Sequence, residues 1–177
     1  MNDMNYFKWL VIVILVTCLS FFGFLFYMSM HDGPIEIFSG GPFKSGTSMV
    51  DVSPDWPSLK DEQTIQVQSI DPKRSRTTWF AVIGARAFVP SGYMNTKIGK
   101  IWKKWPKQAE RDPRSKIRID GRIYTTTLSR VAADDPIIPA IVEELNRKYP
   151  SNASIEDIEA NGTWIFEISS QGLIRQI

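Results

Sequence analysis

The chain has 177 residues, and its 21 basic and 19 acidic side chains leave a net charge of +2, so overall charge names no partner. A hydrophobic share of 43%, with 12% aromatic, suits a packed core and excludes a disordered chain. The one cysteine, Cys18, excludes an internal disulfide and a cysteine-based metal site; the one histidine, His31, excludes a Ser-His-Asp triad or a histidine metal cluster downstream.

Trp9 to Met30 carries no charged side chain. At about 1.5 Å per residue it spans ~33 Å, close to a bilayer core. Tyr6, Trp9 and Tyr27 stand near its ends, where amphipathic rings prefer to sit. The run is too long for a signal-peptide core and no A-x-A-like site follows. Leu15-Val16-Thr17-Cys18 only faintly resembles a lipoprotein box, because Thr17 is a poor residue before a modified cysteine. The expectation is a tail over 1–8 and an uncleaved single-pass transmembrane helix over 9–30 in the cell membrane, with lipid as its partner. Lys8 precedes the run, whereas Asp32 and Glu36 come before Lys44 on the other side. That bias predicts a cytoplasmic N-terminus and an extracytoplasmic domain. Asn152-Ala153-Ser154 and Asn161-Gly162-Thr163 match glycosylation sequons, a short pattern that chance also produces.

Residues 31–62 read as a linker and lead-in segment, punctuated by Gly33-Pro34, Gly40-Gly41-Pro42, Gly46, Pro54 and Pro57, with short extended pieces at Ile35–Phe38 and Ser48–Val52. One domain is expected over 63–177. Thr64–Ile70 alternates as a half-buried strand, and Asp71-Pro72-Lys73-Arg74-Ser75 makes a basic turn. Thr77–Ile83, rich in β-branched and aromatic residues, predicts one strand in which Trp79 packs; Gly84-Ala85 turns it into a strand over Arg86–Pro90. In Lys97–Trp105 the spacing of Ile98, Ile101, Trp102 and Trp105 is helical, and Pro106 limits the helix. Lys116–Ile119, Asp120-Gly121 and Arg122–Thr125 predict a two-residue hairpin, its second strand continuing through Val131. Asp134-Asp135 and Pro136 start a helix that runs to about Lys148, a short helical turn is expected over Ser154–Ala160, and Trp164–Ser169 is a last strand in which Trp164 packs. Clustered antiparallel strands with inserted helices predict an α+β class and a small barrel.

This order of parts resembles the split β-barrel flavin-binding superfamily, which has pyridoxamine-phosphate-oxidase-like and deazaflavin-dependent nitroreductase-like members. The resemblance covers about residues 63–169. It rests on Lys73–Ile83, similar to a basic turn and its following strand, on Arg86–Gly92, on the tryptophan-bearing stretch from Trp102 to Pro113, and on the hairpin over Ile117–Val131. The resemblance implies a small antiparallel split β-barrel with two or three helices behind the transmembrane helix. It also implies a cofactor such as FMN or a deazaflavin, its phosphate held by Lys73, Arg74 and Ser75, with Ser91, Lys97 and Lys100 as further candidates and Trp102 or Trp105 against the ring. Arg76 departs from the family's glycine, where a backbone would approach a phosphate.

A phosphate needs charge-assisted donors at close range and a flat ring needs an apolar slot. Cofactor redox chemistry needs no protein acid or base. Read without the resemblance, Lys73–Arg76 is a solvated loop and Trp102 and Trp105 are core residues. Lys97 to Arg118 carries nine basic side chains against Glu110 and Asp112. It reads either as a solvated face or as a contact with an anionic membrane surface. No nucleic acid and no metal are expected, and homodimerisation stays open. Two functions follow: a membrane-anchored flavin- or deazaflavin-binding protein, with reductase activity an option, or a non-enzymatic accessory domain at the membrane surface.

Overall fold

A computed structural model describes residues 3–35, 38–97, 99 and 103–170. Helix α1 (Asp3–Met30) is long and apolar enough over Asn5–Met30 to cross a membrane. Apolar side chains surround it on all sides, as suits a helix solvated by something other than water.

The rest of the chain forms β1 (Thr47–Met49), β2 (Ile65–Ser69), β3 (Arg74–Thr78), β4 (Ala81–Ile83), β5 (Arg86–Ser91), α2 (Trp105–Arg111), β6 (Arg114–Ile119), β7 (Arg122–Arg130), α3 (Ile138–Lys148), α4 (Ile155–Glu159) and β8 (Trp164–Ser170). Seven strands hydrogen-bond in the order β3-β2-β6-β7-β8-β5-β4, every pair antiparallel, and β1 adds in parallel to β7. The two ends of this path, β3 and β4, are one run of chain interrupted only at Trp79-Phe80. The sheet is therefore closed covalently through a strand that changes partners, and this is the split barrel of the α+β class. Ile65, Val67, Val82, Val89, Ile117, Tyr124 and Phe166, from both ends and the middle of the path, meet in one core, as closure requires. On the outside, Ala81, Phe88 and Ile165 pack against Ile138, Ile141 and Leu145 of α3 in a second cluster. Burial on both faces explains why these strands carry apolar residues without strict alternation.

The predicted hairpin is present: Asp120 (φ 48°) and Gly121 (φ 69°) take the left-handed conformation that a two-residue turn demands. Three elements differ from expectation. Thr77–Ile83 is two strands, because its partner changes from β2 to β5. Helix α2 begins around Pro106 instead of ending there, since a proline in the first turn lacks only an N–H with no helical partner. Of the helix expected over Lys97–Trp105, Lys97 and Gly99 are helical, Ile98, Lys100, Ile101 and Trp102 lie outside the described residues, and Lys103-Lys104 is not helical. Helix α3 starts late, at Ile138, because Asp135 holds the turn before it by accepting from the Ile137 N–H at 2.9 Å. In α4 the Ser154 hydroxyl accepts from the Asp157 N–H, an N-cap.

The stretch from 31 to 49 lies on the barrel. Gly40 pairs with Ser75, and the Phe43 N–H donates to Gln68 Oε1 at 2.7 Å. Arg118 of β6 reaches Asp32 at 3.0 Å and Gln66 Oε1 at 2.7 Å.

Candidate functional site

The partner change leaves Trp79 and Phe80 outside both ladders: β3 pairs with β2 as far as Thr78, and β4 pairs with β5 from Ala81. Backbone groups stranded in this way need other partners. The fully buried Phe80 finds them at the end of α3. Its N–H donates to Tyr149 Oη at 3.1 Å, and its carbonyl accepts from Lys148 Nζ at 3.2 Å. The Tyr149 hydroxyl also lies 2.8 Å from the Gln63 carbonyl and 2.9 Å from that of Phe80, either of which can take its proton. Burial pushes the Tyr149 phenol up and the Lys148 amine down from their ordinary values. The Trp79 ring turns outward and stacks on Tyr149, with centroids 4.6 Å apart and planes 8° off parallel.

Beside this break opens a cleft of about 650 Å³. Its walls are Thr77, Thr78 and Trp79 on one side, Pro90, Gly92 and Tyr93 at the exit of β5 on the other, and Ser151–Ala153 behind α3. Two aromatic rings face solvent here: Trp79 is 43% exposed and Tyr93 73%. Lys103 Nζ lies 5.4 Å from the Tyr93 ring centroid, and burial pushes its amine down. Tyr93 is held out by its own left-handed backbone (φ 63°), followed by the Met94 N–H donating to the Gly162 carbonyl at 2.7 Å. A Cβ on Gly162 would sit 1.9 Å from Asp157 Oδ1, so any larger residue there would displace the Asp157 carboxylate. Asp157 accepts from the Thr163 hydroxyl at 2.6 Å, which completes a rigid polar rim.

The sequence-derived candidates fall into two groups. Ser91 is buried where β5 runs into the rim, its hydroxyl 3.5 Å from Met94 Sδ, and Lys97 is exposed just beyond the rim residue Thr96. Lys100 and Trp102, between Lys97 and Lys103, lie outside the described residues. Arg74 and Ser75 are at the other end of β3 and Lys73 just before it, about 10–16 Å along the chain from Thr78. Ser75 is fully buried and its hydroxyl donates to the Gly41 carbonyl, so it is already engaged. Arg76, opposite Val67, faces the barrel interior with its guanidinium 5.3 Å from the Trp105 ring centroid. Burial, with help from the like charge of Arg74, lowers its pKa to about 10. Trp105 packs 5.2 Å from Phe166 as a core residue, and Trp164 packs beneath Arg130.

Trp79, Tyr93 and Lys103 escaped the sequence reading. One signal was available for Trp79: Trp79-Phe80-Ala81-Val82 is apolar without alternation, and so changes face. The basic stretch from Lys97 to Arg118 is no single face. Lys103 lines the cleft, Arg114 pairs with Asp112 and Arg118 grips Asp32.

No protein-family model matches the sequence, and no curated protein matches it significantly. Solved structures similar to it include a Listeria innocua protein described as a pyridoxamine 5'-phosphate oxidase, at 15% identity, covering 64% of this chain and 87% of that one, with a TM-score of 0.46. HutZ, the heme storage protein of Vibrio cholerae, is similar at 12% identity over 67% of this chain and 89% of its own, with a TM-score of 0.47. An F420 reductase is similar at 12% identity over 68% and 96%, with a TM-score of 0.42.

Proposed function

We propose that this chain is a membrane-tethered split-barrel protein whose cleft beside the strand break holds a flat, phosphate-bearing cofactor of flavin or deazaflavin type. One observation carries the reading: the change of strand partner at Trp79-Phe80 opens a cleft with two exposed rings, Trp79 and Tyr93, and an amine, Lys103, beside one of them. Exposed, immobilised rings are costly to leave in water and offer faces on which a fused ring system can stack. A half-buried ammonium is a strong partner for an anionic group. Ser91 and Lys97 adjoin this rim, and the hydroxyl and amide groups of Thr77, Asn95 and Asn152 supply further hydrogen bonds. The cofactor when bound supplies hydride or electron transfer; the protein stacks the ring, balances the phosphate charge and fixes which edge faces solvent.

Helix α1 supplies the tether, with the barrel on the extracytoplasmic side in keeping with Lys8 before the helix and Asp32 after it. The test is titration of the full-length protein in detergent micelles with FMN and with F420, followed by cofactor fluorescence. Saturable binding to one of them supports the proposal. No binding of either at high micromolar concentration overturns it and leaves the accessory-domain reading.

A further inference from the structure

After α1 ends, the chain turns back along the helix. Ile35 and Phe38 form a two-way backbone bridge, the Phe38 N–H donating to the Ile35 carbonyl at 2.8 Å and the Ile35 N–H to the Phe38 carbonyl at 3.2 Å. The Phe38 ring lies edge-on to Phe24 of α1, with centroids 5.1 Å apart. Phe24 is six residues before Met30, so Phe38 sits about 9 Å back from the end of α1, toward its middle. The return path is fixed. The Gly41 N–H donates to the His31 carbonyl at 3.0 Å, and a Cβ on Gly41 would lie 2.4 Å from the Ser29 carbonyl oxygen. Met28 of α1 is 2% exposed, whereas Ile35 and Phe38 remain 40% and 38% exposed. The Lys44 ammonium donates to the Met30 carbonyl at 2.6 Å, marking the level where the helix leaves an apolar medium.

We infer that Ile35 and Phe38 make a second membrane contact: they lie beside α1 at the headgroup and upper acyl level of the same leaflet, and with the Asp32–Arg118 ion pair they hold the barrel in one orientation on the bilayer. This rests on the reading of α1 as a membrane helix. The occupant is lipid because Phe38 packs on Phe24 and both rings remain exposed, which joins the Phe38 side chain to the apolar surface of α1. The set-back of about 9 Å falls within the ~5–10 Å depth at which amphipathic elements lie in an interface.

The experiment uses the full-length protein in phosphatidylcholine nanodiscs, with an environment-sensitive fluorophore on one cysteine at a time. Native Cys18 reports the bilayer interior. Phe38→Cys and Ile35→Cys, each in a Cys18→Ser background, report the second contact, and Val50→Cys reports water. Spin-labelled lipid is expected to quench the Phe38→Cys and Ile35→Cys probes while iodide quenches only Val50→Cys. If iodide quenches both the Phe38→Cys and Ile35→Cys probes while lipid quenches Cys18, the second contact is refuted and the anchor stands. If iodide quenches Cys18 as well, both readings fail together.

Discussion

Replacing Tyr149 by phenylalanine removes one oxygen and keeps the ring that stacks on Trp79. The oxygen is the acceptor for the Phe80 N–H, which is buried at the strand break and has no ladder partner. The Phe80 carbonyl keeps its bond from Lys148, so the variant strands the buried Phe80 N–H and takes away the hydroxyl donor that faces the Gln63 carbonyl. An unsatisfied buried donor costs about 1–3 kcal/mol. Taking about 2 kcal/mol, the loss corresponds to a fall in Tm of ~4–8 °C for a domain of this size. Thermal unfolding of the full-length protein in detergent, followed by near-ultraviolet circular dichroism, reads this directly, with urea titration to give the free energy. A loss below about 0.5 kcal/mol, the scale of an ordinary surface change, would refute the idea that Tyr149 sustains the break in the barrel.

Further outcomes are expected. Trp79→Ala and Lys103→Met should each weaken FMN or F420 binding about tenfold (~1.4 kcal/mol), whereas Lys73→Ala and Arg74→Ala should leave it unchanged; equilibrium titration compares them. Gly121→Ala should cost about 1 kcal/mol by urea unfolding, because its φ of 69° suits glycine better than any side chain. Burial pushes the Asp32 carboxyl up, but hydrogen bonds from the Lys44 and Ser45 amides, the Ser45 hydroxyl and the Arg118 guanidinium outweigh it and hold the carboxyl well below the usual range. A carboxyl so lowered contributes stability that is full above its unfolded pKa of about 3.9 and is lost as pH falls below it. Asp32→Asn should therefore lower Tm at pH 7 and flatten its decline between pH 5 and 3; an equally steep decline in the variant would contradict this.

Features encoded by neighbouring residues were legible in the sequence. Asp120-Gly121 can hardly be anything but a tight turn, and the uncharged run from Trp9 to Met30 reads as a helix for an apolar medium by composition alone. Ser154 and Asp157 mark a helix start within four residues. What escaped depends on partners distant in the chain. Nothing local in Thr77–Ile83 says that hydrogen bonds pass from β2 to β5 at Trp79, since both halves have the same β-forming composition. The cleft followed the break, so Trp79 read as packing and the rim residue Tyr93 went unnoticed. The family resemblance nominated the basic turn at Lys73–Ser75 as a phosphate site; the Ser75 hydroxyl is spent on Gly41, thirty-four positions earlier, a contact that spacing cannot reveal. Glycine- and proline-rich composition made residues 31–62 read as a linker, although Gly41 permits close backbone approach to Ser29 of α1 and Gly46 to Gly121 of the barrel.

The central claim is that the interrupted strand at Trp79-Phe80 creates a ring-binding cleft. It is tested most directly by fluorine NMR of the full-length protein with its 6 tryptophans replaced by 5-fluorotryptophan, the Trp79 signal being assigned through Trp79→Phe. On addition of FMN or F420 the Trp79 resonance should shift while those of the core residues Trp105 and Trp164 stay in place. A cofactor that binds and leaves Trp79 unmoved, or that shifts Trp105 or Trp164 instead, would contradict the account.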